Sequence, residues 1–152
     1  MRDLNLSSTS LNKLLLLKLI EGGVSGSTRL QKMVFIVEQR CREQQRADRG
    51  FAYPFIRHLY GPYSEELHTD LAFLVRKGYV GKSDSMPVQY CLTEKGEKLL
   101  RGYSDQLPEA QVNYIAGAEL NRLRKLPLQT LLDEVYEDYK VKSYDYGDRI
   151  DR

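Results

Sequence analysis

The stretch YGPYSEELHTDLAFLVRKGYVGKSDSMPVQYCLTEKGEKLL, residues 60–100, decides the fold. It reads as helix, strand, turn, strand and helix. Gly61-Pro62 is a turn signal, because the proline ring disfavours helical geometry in the residue before it. Ser64 is placed to cap the following helix, and Glu65 and Glu66 fall in its first turn, where carboxylates favour the dipole. Leu67, Leu71, Leu74 and Val75 recur at helical spacing and define one buried stripe. Gly78 ends the helix, since glycine takes the left-handed conformation of a helix terminus at little cost. Tyr79-Val80 and Val88 to Leu92 are short β-type runs separated by the polar Gly81 to Ser85, and Thr93 caps the next helix.

That order is the back half of a winged helix-turn-helix, and LTEKGEKLL after the second strand resembles the same place in many bacterial and archaeal winged-helix proteins. The expected fold is α+β and mainly helical: a winged helix-turn-helix core with additional C-terminal helices. On a helical wheel centred on Leu71 the outward residues are Glu65, Glu66, Thr69, Phe73, Arg76 and Lys77. A helix that reads DNA brings its N-terminal part to base edges and phosphates. Here that end opens with two carboxylates, with Asp70 one turn on, and phosphates repel carboxylates. Phe73 points away from the core stripe. Either another part of the chain covers it or it is offered to a partner.

The chain has 152 residues, 23 Lys plus Arg against 21 Asp plus Glu, and a net charge of +2, so no strong basic bias points to nucleic acid. Its length suits one domain with a helical appendage. The longest apolar run, Leu14 to Leu17, is far short of a membrane span and lacks the flanks of a signal peptide. Cys41 and Cys91 form no metal or redox spacing, so they read as reduced structural cysteines in a cytoplasmic protein.

In chain order, a first helix is expected from Leu11 to Ile20, with Leu11, Leu14, Leu15 and Leu19 inward. The loop Val24-Ser25-Gly26 leads to a second helix from about Arg29 to Gln45. Its run Met33 to Val37 is too wide for one stripe and marks it as the central, multiply covered helix. The Arg40 to Arg49 end carries four arginines and reads most simply as a solvated helix end and loop. Phe51, Tyr53 and Phe55 alternate in a short extended segment, with Pro54 confining it to an edge. His58 and His68 lack metal-site company and read as local hydrogen-bonding residues. One helix is expected from Pro108 to Lys125 and another from Leu128 to Tyr139. These helices would cover either Phe73 or a second copy in a homodimer. The domain therefore spans residues 1–141, with 142–152 as a polar, flexible tail.

No catalytic constellation can be assembled. Glycine-rich phosphate loops, a nucleophile elbow and the zinc-protease helix motif are all missing from the sequence. Glu66 and Asp70 share a helix face, but two acids near a helix start read as solvated, dipole-stabilising groups before they read as metal ligands. No catalytic, cofactor or metal residues are assigned. An enzyme would need a closed pocket joining residues distant in sequence.

Several segments together carry a family resemblance: Thr28 to Phe35, TRLQKMVF; Phe55 to Tyr63, running into YGPYS; Glu66-Leu67 and Asp70-Leu71; Tyr90-Cys91-Leu92-Thr93 with Gly96; and LLDEVYEDY near the C-terminus. In that order and spacing they resemble the YwgA-like proteins, small bacterial and archaeal winged-helix proteins with no established catalytic residues. More distantly the chain is similar to the SocA-type, or Panacea, antitoxin domain, which implies a protein-neutralising role where a toxin partner exists.

Two functional expectations follow. In the first, the chain is a non-enzymatic protein-interaction module, antitoxin-like or regulatory, contacting a toxin or regulator through Tyr60, Tyr63, Glu66, Thr69 and Phe73. In the second it is a DNA-binding transcription regulator, led by its wing and using Arg76, Lys77, Lys82, Lys95, Lys98 and the Arg40 to Arg49 loop.

Overall fold

A computed structural model describes residues 7–43, 50–59 and 61–150 of the chain. Tyr60 and the arginines at 46 and 49 lie outside the described residues. The first helix, α1 (Ser8–Ile20), is capped by Ser7, whose hydroxyl accepts from the Ser10 N–H, so it begins three residues before the expected start. Leu14 to Leu17, Leu19 and Ile20 are all buried, a wider set than one amphipathic stripe provides. The reason is that α1 is enclosed from several sides, by α3 (Glu65–Arg76), α4 (Glu94–Tyr103) and α5 (Glu109–Ile115). The second helix, α2 (Ser27–Glu43), is buried along most of its length, as the unbroken Met33 to Val37 run implies.

Between α1 and α2, Val24–Ser25 forms a two-residue strand, β1, where the sequence suggests only a loop. It pairs antiparallel with β5 (Gln89–Leu92), which also pairs with β4 (Val80–Lys82), giving the order β1-β5-β4. A separate hairpin of β2 (Ile56–His58) and β3 (Gly61–Tyr63) enters between α2 and α3, so Gly61-Pro62 belongs to a strand pair and not to a bare turn. Gly61 has φ +95°, a conformation glycine adopts without strain. Two adjacent side chains of α2 fasten this hairpin. The Gln31 amide donates to the Ser64 carbonyl and accepts from the Ser64 N–H, both at 2.9 Å, while Lys32 Nζ donates to the Pro62 carbonyl at 2.8 Å. The LQK and GPYS segments thus meet in space through hydrogen bonds from two side chains of the first to the main chain of the second.

The helix expected from Pro108 to Lys125 is two helices, α5 and α6 (Ala118–Lys125). Gly117 interrupts them with extended backbone, a break that glycine's poor helix propensity favours. Together with α7 (Leu128–Asp138), these helices pack on α2, with α5 also touching α1. None of their residues lines the recess at Phe73, which is half-buried between α1 and α4 instead, contrary to one of the two expected placements. The polar end is also docked where the sequence suggests a loose tail. Arg57 N–H donates to the Asp148 carbonyl at 2.9 Å, Ile150 N–H donates to the Phe55 carbonyl at 2.8 Å, and the Ile150 side chain is buried. Main-chain pairing along the edge of β2 supplies this docking, and such pairing leaves little mark on composition. The molecule is mainly helical α+β, and among its described residues no helix is long and apolar enough to cross a membrane.

Candidate functional site

Helix α3 is the element whose surroundings offer binding chemistry. Ser64 caps it as the sequence implies, its hydroxyl accepting from the Leu67 N–H at 3.3 Å. Leu67, Leu71 and Leu74 are buried, and so is Asp70. The Tyr53 hydroxyl donates to Asp70 Oδ2 at 2.7 Å, and Lys13 Nζ lies 3.6 Å from Oδ1. Burial first, and the Asp70 carboxylate second, hold the Tyr53 phenol well above its usual range, so it remains a donor. Asp70 is therefore an interior anchor and not the solvated partner of Glu66. Only Glu65 and Glu66 remain as exposed carboxylates at the start of the helix.

One flank of α3 forms a groove with α1 and α4. Its volume is about 340 Å³, its floor is Leu14, Leu17, Leu74 and Leu99, and Phe73, Tyr79 and Tyr103 supply the aromatic walls. Phe73 is half-buried here and surrounded by cations: Lys13 at 5.2 Å, Arg76 at 5.6 Å and Lys77 at 5.8 Å from the ring centroid. Lys95 sits 4.7 Å from the Tyr79 ring centroid and donates to the Lys77 carbonyl at 2.8 Å. Each exposed cation–π contact contributes only about 0.5–1 kcal/mol. Their larger consequence is to hold four positive heads around an apolar groove. Lys13 is also paired with Asp70, which leaves Arg76, Lys77 and Lys95 as the cations beside Phe73 and Tyr79 without a carboxylate partner among the described residues, although the helix opens with negative residues.

The expected partner residues divide between the two flanks. Glu66 and Thr69 are exposed on α3 near Phe73, whereas Tyr63 lies across the helix, its ring 5.0 Å from that of His58 and 6.4 Å from that of His68. Tyr63 and Phe73 thus line different recesses, and the two histidines flank the Tyr63 ring. Among the alternative basic residues, Arg76, Lys77 and Lys95 gather at the Phe73 groove. Lys82 lies on β4 and, with Arg76, borders a second recess also lined by Ser27, His68 and Tyr90. Lys98 is exposed on α4. Sequence reasoning missed Lys13, Tyr79, Leu99 and Tyr103, which come from three other segments. A signal exists for two of them, the half-filled apolar stripe of α4, where Leu99 and Tyr103 stand at helical spacing.

The cysteines are both free, Cys41 in the core and Cys91 exposed on β5, so only the first has an interior structural place. Compared with known proteins, the chain matches no family model, no curated protein and no solved structure.

Proposed function

We propose that the chain is a non-enzymatic, cytoplasmic winged-helix module that binds another protein, in an antitoxin-like or regulatory role, and that its binding surface is the α1–α3–α4 groove around Phe73. The observation that carries this reading is the groove's chemistry: an apolar floor with aromatic walls under a ring of Lys13, Arg76, Lys77 and Lys95. An amphipathic helix fits such a groove, its apolar side chains entering and its acidic residues meeting the rim. The winged reading is supported by the order α1–β1–α2–α3–β4–β5–α4 and by the sheet order β1-β5-β4, with the β2–β3 hairpin as an insertion before α3. The likeness of the TRLQKMVF and YGPYS segments to YwgA-like and Panacea sequences points the same way.

Affinity capture followed by mass spectrometry tests the reading. Wild-type protein is expected to retain a partner bearing an acidic amphipathic segment, and Phe73→Asp to lose it while keeping its circular dichroism spectrum. The same partner set on both proteins would refute the groove.

A second reading, DNA binding, is favoured by the proximity of Arg76 and Lys82 between α3 and the β4–β5 turn. Under it, duplex affinity falls steeply with salt and Lys82→Glu reduces the slope. Under the first reading, titration at low salt gives no saturable duplex binding.

A further inference from the structure

Across α3 from the Phe73 groove is a smaller pocket of about 100 Å³, where α2, the β2–β3 hairpin and α3 meet. Ser27, Thr28 and Lys32 come from α2, His58 and Tyr63 from the hairpin, and His68 from α3. Leu67 and Leu71 supply apolar wall.

Lys32 sets the chemistry. It is only 2% exposed, yet its sole hydrogen-bond acceptor among the described residues is the neutral Pro62 carbonyl. Burial alone pushes its ammonium down, to about 7. An ammonium carries three N–H donors, and a carbonyl uses one of them. Removing a cation from water without a counter-charge is costly, so a buried lysine bordering a cavity favours an anion there. Most of the remaining wall is apolar, and its polar members are hydrogen-bond donors. Imidazoles of His58 and His68 present an N–H in either protonation state. Ser27 and Thr28 bring two hydroxyls at the opening of α2, a 17-residue helix whose positive end adds to the field. The Gln31 amide plays no part, being committed to the Ser64 main chain. The Tyr63 hydroxyl is engaged with Glu65 at 3.1 Å, which places that carboxylate on the exposed rim, where solvent screens it.

We propose that this pocket binds a phosphate group, with Lys32 as its buried charge partner and His58, His68, Ser27 and Thr28 as its donors. The volume admits a tetrahedral oxyanion and is well below the roughly 300 Å³ at which pockets begin to take drug-sized ligands. The phosphate is therefore either free or the terminal group of a molecule whose remainder stays outside. The site stands independently of the Phe73 groove.

Titration of the ¹⁵N-labelled protein with inorganic phosphate, at constant ionic strength made up with sodium chloride, tests the proposal by NMR. Saturable shifts are expected at Ser27, Thr28, His58 and His68, with affinity lowered at least tenfold in the double variant His58→Gln/His68→Gln. Lys32→Met is expected to abolish the response. Because that variant also removes a hairpin bond, the double variant, altered only at exposed side chains, keeps the test independent of folding. O-phosphoserine binding more tightly than phosphate would assign the site to a phosphorylated molecule, and the reverse order to the free anion. Absence of saturation, shifts elsewhere, an unchanged response in the double variant, or acetate binding as tightly as phosphate would overturn the proposal.

Discussion

Lys32 shows how far one residue's character depends on its place. In sequence it is one polar position beside an apolar run; in the fold it is a buried ammonium bonded to the β2–β3 hairpin at the Pro62 carbonyl, in a pocket it shares with His58, Tyr63 and His68. Its folded value near 7 lies below the ordinary 10.5, so between those values the unfolded chain holds a proton that the folded chain does not. Stability linked to Lys32 therefore rises with pH across that window, and the penalty is complete below about 7. The whole effect is on the order of 5 kcal/mol at most. Urea unfolding at pH 6.5 and pH 9.5 should show wild type gaining stability relative to Lys32→Met. An identical pH response in the two proteins would contradict a desolvated ammonium. Residues of this kind are hard to read from sequence. Asp70 looked like a surface acid beside Glu66 because its burial depends on Tyr53 and Lys13, seventeen residues and more away in the chain.

At the level of elements, the signals that proved legible are local ones. Ser64 and Thr93 both cap the helices the sequence assigns to them, and Gly78 takes φ +83° where α3 stops. Elements fixed by long-range pairing were not legible. β1 is two residues long and exists only because β5 runs beside it, and residues 147–150 lie down only because β2 has an open edge. Gly96 lies between the two cases. An alanine inside a helix ordinarily stabilises it by about 1 kcal/mol over glycine. Here a Cβ would stand 2.1 Å from the Tyr79 carbonyl oxygen, a main-chain atom that also accepts from Thr93 N–H. Overpacking of that kind costs about 1–3 kcal/mol, so the clash outweighs the propensity gain. Gly96→Ala should lower the urea midpoint and loosen the α4 wall of the groove, seen as increased amide exchange at Leu99 and Tyr103. A raised midpoint would show that α4 sits further from Tyr79.

Across the whole molecule, α3 divides two surfaces of different chemistry. On one side cations lie beside an aromatic groove; on the other a buried lysine and two imidazoles border a small pocket with a largely apolar wall. The C-terminal helices pack against α2, with α7 also touching β3, and none of their residues lines either recess. The sequence pointed to α3 and to Phe73, and the structure relocated the charge: carboxylates open the helix, but positive groups surround its aromatic residue. That relocation turns an expectation of contact through an acidic face into one of an acidic partner. Hydrogen–deuterium exchange of the complex with the captured partner tests it most directly. Protection is expected over residues 10–17, 69–79 and 95–103, with the β4–β5 turn unchanged. Protection confined to residues 80–90, or a duplex DNA producing the same footprint as the protein, would contradict a polypeptide-binding groove.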